Sequence, residues 1–594
     1  MVAGARDDKK GQSEGNTPVG MEKMEPIRNY EELKDAYIGD GQWAHRGWGD
    51  IFDYNARRWP DKEAFIDARR RISWAQMKQI TDRLALGLLE TGLKRNDIII
   101  GQLPNCIENV ALWVACEKAG LVHLYSMHTQ RETEIGHFLE FTNAVAVVTC
   151  FEFRRFNHYK MFSDFRTSDK FPKFKHIFLI SGYGLEELPD GASSVEEILS
   201  KPLEEKYPGD FLCKTKGDPF EVWHMVSTTG TTGMPKIGML PPNCNISTGL
   251  EFVNHWKLTR DDIGITAAFC FSGPSAAVIH ALITVAGKIV LVEWGDPEEV
   301  LKAIERERGT YYGGFPLHAI QMARHPALGK YDLSSLRFVA HAGAPFPAGL
   351  LEEVEERLDA PLITYYGVNE VQAILGSDVD APRAKRFGSV GRGGPRVHPK
   401  IVDDEGNELP RNRVGRLIIS GGGVGAGYYK DPEKTKQAFG GALGKGGWFD
   451  TEDLARMDED GYIWLAGRSR DMILRAGQNI FPAEIEGMLN AHPKVSNVAI
   501  VSMPDTDYGE KACAYVIPKE GETFPFSAMV SFLMERKLAK YKLPERLEIV
   551  DDFPMLGDKV NKRALGTDIA FKLLAEGAVS QAMVDKFREQ GKIE

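Results

Sequence analysis

The sequence predicts an α/β fold in more than one domain, and three observations carry that prediction. Short β-favouring runs alternate with segments whose apolar residues recur at helical spacing, the pattern of parallel strands joined through crossover helices. A strand-like run near residues 222–226 breaks into glycines and hydroxyls closed by a lysine, at the kind of strand end where open α/β sheets place their ligands. With 594 residues the chain exceeds the roughly 250–300 at which a single core stops growing, so at least two domains are expected.

Taken in order, residues 1–25 are rich in Gly, Lys, Asp, Glu and Ser without an apolar run, and read as a disordered leader rather than a signal peptide. Residues 63–67 and 71–73 read as a short hairpin, 74–92 as a helix and 97–102 as a strand. Ile107, Val110, Ala111, Val114 and Ala115 form the apolar face of a helix stopped by Gly120, and β-like runs follow at 145–149 and 177–180. Residues 263–287 carry no Asp, Glu, Lys or Arg, but Ser272, Gly273, Pro274, Ser275, His280 and Thr284 interrupt them. That stretch is therefore expected to be a buried strand, turn and helix, and no transmembrane segment is expected.

Buried strands are expected at 289–293, 337–340 and 361–365, with a helix opening near Pro347 that places Leu350, Leu351, Val354 and Leu358 on one side. The turns after 340 and 365 are candidate ligand positions. After residue 405 short strands and glycine turns take over, including Gly421-Gly422-Gly423 and Gly440-Gly441. A smaller α+β pattern begins near 470 and predicts a C-terminal domain of about 100 residues.

Composition excludes several classes. Hydrophobic residues at 43% and charged residues at 26% are those of a soluble globular protein. A formal net charge of -11 argues against nucleic acid as a partner, which needs clustered Lys and Arg. Seven dispersed cysteines, never in a Cys-x-x-Cys pair, point to neither a disulfide framework nor a zinc site, and fit a reducing, cytoplasmic location. Cys116 and Cys513 lie among apolar neighbours and read as inert core residues.

The stretch Val222 to Ile237 organises the chain. Gly230 and Gly233 free the backbone to wrap a ligand, Ser227, Thr228, Thr229, Thr231 and Thr232 supply donors, and Lys236 supplies a positive charge suited to polyphosphate. Gly230 and Lys236 have the Walker A separation, but Pro235 replaces its second glycine and Ile237 its magnesium-binding hydroxyl, so a P-loop NTPase is not expected. On composition alone an ordinary surface loop remains an equal alternative.

Five separated segments decide between them. Ser227 to Lys236, Gly343-Ala344-Pro345, Tyr366-Gly367-Val368-Asn369-Glu370, Trp448 to Asp453, and the stretch from Gly467-Arg468-Ser469-Arg470-Asp471 to Pro554–Lys562 resemble, in order and along nearly the whole chain, the adenylate-forming superfamily. That superfamily comprises acyl-CoA synthetases, aryl-acid ligases, nonribosomal-peptide adenylation domains and luciferases. The resemblance implies parallel-sheet α/β subdomains plus a distorted β-barrel over residues 26–469, and a small mobile α+β domain over 470–594.

It also implies roles. Thr228, Thr229, Gly230, Thr231, Thr232, Gly233 and Lys236 would cradle the ATP polyphosphate, and Gly343, Ala344 and Pro345 would form the adenine-contacting turn. Tyr366 would stack on the purine, Asn369 would bond the α-phosphate, and Glu370 would hold Mg²⁺. Asp453 would accept the ribose hydroxyls with Arg468 nearby, Arg470 would be the hinge, and Gly477 would let a pantetheine arm pass in a thiolation loop. Lys559, chosen over Lys562 by alignment of the Lys-Val pair, would be the adenylation lysine. Asn369, Glu452 and Asp558 depart from the usual Thr, Gly and Gly.

The implied reaction joins a carboxylic acid to ATP as an acyl-adenylate, releases pyrophosphate, and passes the acyl group to coenzyme A. Phe269, Phe271, Ser272, Gly314 and Phe315 lie where the family builds its acyl pocket, and their character suits an aryl, alicyclic or medium-chain acid. The His-Asn-aromatic-Pro segment of siderophore aryl-acid ligases is not found, which turns the expectation away from dihydroxybenzoate. The alternatives are an AMP ligase that loads a separate carrier protein, a luciferase-like oxygenase, or a nucleotide sensor with a degraded site.

Overall fold

The computed structural model describes residues 30–227, 235–293, 296–344, 346, 350–369, 372–440, 447–468, 471–475, 478–556 and 559–594. Two eight-stranded sheets dominate. The first runs, edge to edge, through Gly427–Tyr428, Ile237–Leu240, His224–Ser227, Val122–Tyr125, Ile98–Gln102, Ala146–Thr149, His176–Leu179 and Ser193–Ser194. It is parallel from His224–Ser227 onward and antiparallel at the Ile237–Leu240 edge.

The second sheet is built from Gln372–Gly376, Leu362–Val368, Phe338–His341, Tyr311–Gly314, Ile263–Thr266, Lys288–Leu291, Glu63–Ile66 and Arg71–Ser73. The expected hairpin at 63–73 is therefore its edge, because Glu63–Ile66 also pairs in parallel with Lys288–Leu291. The helix Ile107–Ala119 is buried at every position, its Glu108, Asn109, Glu117 and Lys118 included, and the apolar helix Gly273–Val285 is buried along most of its length. Gly120 ends the first of these at φ 69, the left-handed cap that its position in the sequence announces.

Two boundaries differ from the sequence reading. The helix expected from Pro347 runs Leu351–Leu358. Leu351, Val354 and Leu358 are buried while Leu350 is a half-buried cap, and Pro347 lies outside the described residues. The strand expected to end at 365 continues to Val368, because Gln372–Gly376 pairs back onto it and supplies the ladder bonds that carry it on.

Where the barrel subdomain is expected, His398–Val402, Gly415–Ser420, Phe449–Met457 and Ile463–Arg468 form a four-stranded antiparallel sheet. The C-terminal part holds a five-stranded sheet whose two long strands, Val495–Asp505 and Gly509–Pro518, are apolar on both faces. Val498, Ile500, Ala512, Ala514 and Val516 join one core with Pro482–Asn490 and Phe526–Glu535. Ala499, Val501, Met503, Cys513 and Tyr515 join another with Lys562–Ala575 and Gln581–Glu589. The period-two alternation of a strand thus feeds two separate cores. Cys116 and Cys513 are buried, and burial pushes both thiols far above their ordinary range. No described helix is long and apolar enough to cross a membrane.

Candidate active site

His224–Ser227 and Ile237–Leu240 lie side by side with Ser227 opposite Ile237, so the organising loop leaves and re-enters the sheet between neighbouring strands. Thr228, Thr229, Gly230, Thr231, Thr232 and Gly233 lie outside the described residues, but both feet of the loop are described. Lys236 is half-buried with its ammonium 4.8 Å from the centre of the Tyr428 ring, a cation–π contact. Tyr428 is buried on the strand that borders Ile237–Leu240. The sequence reading did not single it out, and only its Gly-Tyr-Tyr context before Pro432 hints at a role.

At the other foot, Asn369 Nδ2 donates to the Ser227 carbonyl at 3.1 Å across 142 positions of sequence. The amide expected to meet the α-phosphate is thus bonded to the start of the phosphate loop. Glu370, the expected Mg²⁺ ligand, lies outside the described residues, and among the described residues no group of three His, Cys, Asp or Glu could hold a metal ion.

The Tyr366 hydroxyl donates to the Asp453 carboxylate, joining the residues expected at the purine and at the ribose. Both are buried. The Asp453 amide is held by Thr451 Oγ1 at 3.1 Å, and Thr451 Oγ1 donates to the Leu417 carbonyl at 2.8 Å, so the aspartate is fixed from behind. Asp453 pairs with Arg468 across Phe449–Met457 and Ile463–Arg468, which places the two ribose candidates on adjacent strands.

Gly343 has φ +89, and a Cβ there would come within 2.7 Å of the Phe315 ring, so two residues expected at the adenine and at the acyl group are in close approach. Ala344 is exposed and Pro345 lies outside the described residues. A Cβ on Gly314 would come within 2.4 Å of the Tyr312 hydroxyl, which bonds His318 Nδ1 at 2.8 Å.

Phe269, Phe271 and Ser272 occupy one clamped turn. Asn105 donates to the Ala268 and Val292 carbonyls at 2.8 and 2.9 Å and accepts from the Cys270 amide at 3.0 Å, while Ser272 Oγ donates to the Phe269 carbonyl at 2.6 Å. Phe269 stands edge-on to His128 at 5.0 Å. Phe271, at φ +59, is 2% exposed and packs into the core against Trp113 at 5.0 Å and His224 at 5.3 Å. Burial lowers His128 to about 3, so its ring is neutral.

In the C-terminal part, Lys559 opens the strand Lys559–Val560, paired with Met555–Leu556 in a two-stranded hairpin. Lys562, the alternative lysine, is ion-paired with Glu486 at 2.6 Å. Ile473–Arg475 pairs with Gln478–Ile480 on either side of Gly477, while Gly477 and Arg470 lie outside the described residues. Arg475 beside that turn stacks on Tyr508 at 3.9 Å and bonds Glu545 at 2.9 Å.

A parallel-sheet scaffold with Lys236 and Ser227 at neighbouring strand ends and a Tyr366–Asp453 hydrogen bond is the arrangement expected from the resemblance to adenylate-forming enzymes. Comparison with known proteins agrees: residues 52–429 match the model of the AMP-binding enzymes, and residues 484–557 match the C-terminal domain of the same enzymes. The chain is 28% identical to the 2,3-dihydroxybenzoate-AMP ligase of Bacillus subtilis over 92% of this chain and 98% of that protein. It is 28% identical to the medium-chain fatty-acid–CoA ligase of Escherichia coli over 91% and 94%. The ATP-bound crystal structure of MatB from Rhodopseudomonas palustris superposes with a TM-score of 0.75 at 26% identity, over 88% of this chain and 98% of that one. The chain belongs to the AMP-binding enzyme family, and it is an AMP-forming ligase.

Proposed function

We propose that this ligase activates a carboxylic acid as its acyl-adenylate, with release of pyrophosphate, and transfers the acyl group to coenzyme A. The observation that carries the reading is the Tyr366–Asp453 hydrogen bond, which brings together two nucleotide candidates 87 positions apart. MgATP enters as substrate. Glu370 is the carboxylate in this sequence that would complete the coordination of its Mg²⁺, which supplies positive charge against the polyphosphate.

In the proposed cycle the substrate carboxylate attacks the α-phosphorus and the bond to the departing pyrophosphate breaks. Lys236 balances charge on the leaving group, and Lys559 stabilises the negative charge that develops at the reacting centre. The small domain, residues 470–594, then turns about Arg470, withdraws Lys559 and brings the Gly477 loop forward, so that a thiol attacks the adenylate carbonyl carbon and the acyl–phosphate bond breaks with release of AMP. No protein nucleophile is needed.

The apolar and aromatic character of Phe269, Gly314 and Phe315 supports an aryl, alicyclic or medium-chain acid. A second reading, transfer to a separate carrier protein, is favoured by the likeness to an AMP ligase over 98% of that relative's length. The test is pyrophosphate release across a panel of such acids, each with and without coenzyme A. Acid-dependent release, with thioester formed on coenzyme A, is the expected result. Adenylate without thioester would move the assignment to the carrier-loading reading, and ATP binding with no acid-dependent release across the panel would overturn both.

A further inference from the structure

We propose that Lys592 and Glu594 are positioning residues, and that the segment holding them is a brace that fixes the strand carrying Lys559 relative to the strand leading to Gly477. This rests on the reading of Lys559 as the adenylation lysine and of Gly477 as the thiolation turn. In that reading the small domain works from two places, and each has to be presented in a defined position.

At one end the brace reaches the Lys559 hairpin. Asn561 follows the strand Lys559–Val560 directly, and its backbone N–H donates to the Pro554 carbonyl at 2.7 Å, closing the hairpin. Its side-chain oxygen caps the helix Lys562–Ala575 by accepting from the Ala564 amide at 3.1 Å. An amide whose oxygen takes a backbone N–H must present its NH₂ group on the other side, and Asn561 Nδ2 donates there to Glu594 Oε1 at 2.8 Å. The Glu594 backbone N–H in turn donates to Thr567 Oγ1 at 2.8 Å.

At the other end it reaches the strand Ile473–Arg475. Lys592 Nζ donates to the Met472 carbonyl at 2.8 Å and to Glu510 Oε2 at 2.5 Å. The same oxygen accepts from the Leu474 amide at 3.0 Å and from the Ser502 hydroxyl at 2.8 Å. The Lys592 and Glu510 side chains are 13% and 10% exposed, so removing one partner leaves the other charge largely withdrawn from water.

Between these anchors the segment is held against sliding. Ile593 is fully buried in the core shared by the helices Lys562–Ala575 and Gln581–Glu589, and its carbonyl accepts from Arg563 Nη2 at 2.9 Å. Gly566 stands inside a helix, where glycine is unfavourable, and a Cβ there would come within 3.0 Å of the Lys592 carbonyl. The glycine is what lets the brace lie so close to the helix.

The test compares the full chain with Glu594→Ala, Glu594→Gln, Lys592→Met and Lys592→Met/Glu510→Gln. The double variant removes the charge that Lys592→Met would leave unpaired, and guards against a failure to fold. Backbone hydrogen exchange, read without substrate, should quicken by about 10-fold over residues 559–564 in Glu594→Ala, and over residues 472–475 in both Lys592 variants. Glu594→Gln, which still offers Asn561 an oxygen, should exchange as the wild type does. With an acid from the panel above, Glu594→Ala should slow ATP–pyrophosphate exchange by about 10-fold and leave thiolysis of supplied acyl-adenylate intact. The Lys592 variants should show the reverse. A general loss of folded enzyme would lower both half-reactions alike. Unchanged hydrogen exchange in both segments would overturn the brace, and equal losses in the two half-reactions would overturn the positioning roles. If hydrogen exchange changes as expected while no acid supports pyrophosphate release, the brace stands and the proposed acid-ligase reaction fails.

Discussion

Glu452 sits at φ +61, in the left-handed region, one residue before Asp453. The motif that Trp448 to Asp453 resembles usually carries a glycine at this position, and the backbone here has the conformation that glycine adopts without strain. A side chain there costs about 1–2 kcal/mol, offset by the roughly 0.5–1 kcal/mol of chain entropy that glycine would lose on folding. Glu452→Gly is therefore expected to stabilise the protein by about 0.5–1 kcal/mol. A urea midpoint that falls in this variant would contradict the account. Asn369 shows the limit of reading a site from residue types. Its amide was legible as a hydrogen-bonding group, but its bond to the Ser227 carbonyl depends on a pairing 142 positions away that no local pattern records.

Among the elements, helices were the most legible. The alternation that ends at Gly120 needs only local information, and so does a glycine at φ 69. Strand ends were less so, because they depend on partners. Leu362–Val368 extends past the expected turn only because a later segment pairs with it. The hairpin of Met555–Leu556 and Lys559–Val560 is the element on which the chemistry is expected to turn. Removing the ammonium by Lys559→Ala should slow adenylation by about 10²-fold or more, comparable to the loss of an oxyanion-hole donor, while thiolysis of supplied acyl-adenylate persists. Pyrophosphate exchange at the wild-type rate in that variant would reassign the lysine. The pairing of Lys562 with Glu486 makes that residue an informative control.

The whole molecule carries a pH signature. Burial lowers His123, His128, His280 and His341 to about 3, and His158 and His318 to about 4. In the unfolded chain each takes up a proton near pH 6.5, so the folded value lies below the unfolded one. The stability is present in full above about pH 6.5 and is lost as pH falls toward 3–4, at about 1.4 kcal/mol per pH unit for each proton. Glu117 acts in the opposite sense. Burial raises it to about 7, so it favours the folded state at low pH and its contribution is lost as pH rises from about 4.5 to 7. Burial also raises Glu251 and lowers His224, so the lowered histidines still outnumber the raised carboxyls. The melting temperature is expected to drop steeply between pH 6.5 and 5, and His280→Phe should make that slope shallower by one proton. A melting temperature independent of pH over this range would contradict it. None of this was visible in the sequence, because a histidine's burial is set by elements far apart in the chain.

The sheet in the C-terminal part has a consequence for how chemistry reaches the site. Both faces of Val495–Asp505 and Gly509–Pro518 are covered by helices of the same unit, so the sheet keeps no bare face with which to adhere to the rest of the molecule. In the proposed cycle the covalent connection is what keeps this unit with the site while it turns. In the cycle proposed above Lys559 would act as a tethered reagent, at an effective concentration set by the length and stiffness of the connecting chain, and a short tether can raise that to the millimolar range. In such an arrangement the catalytic group is supplied by encounter, and changes to the connecting segment would tune the frequency of adenylation without altering any residue that touches the acid.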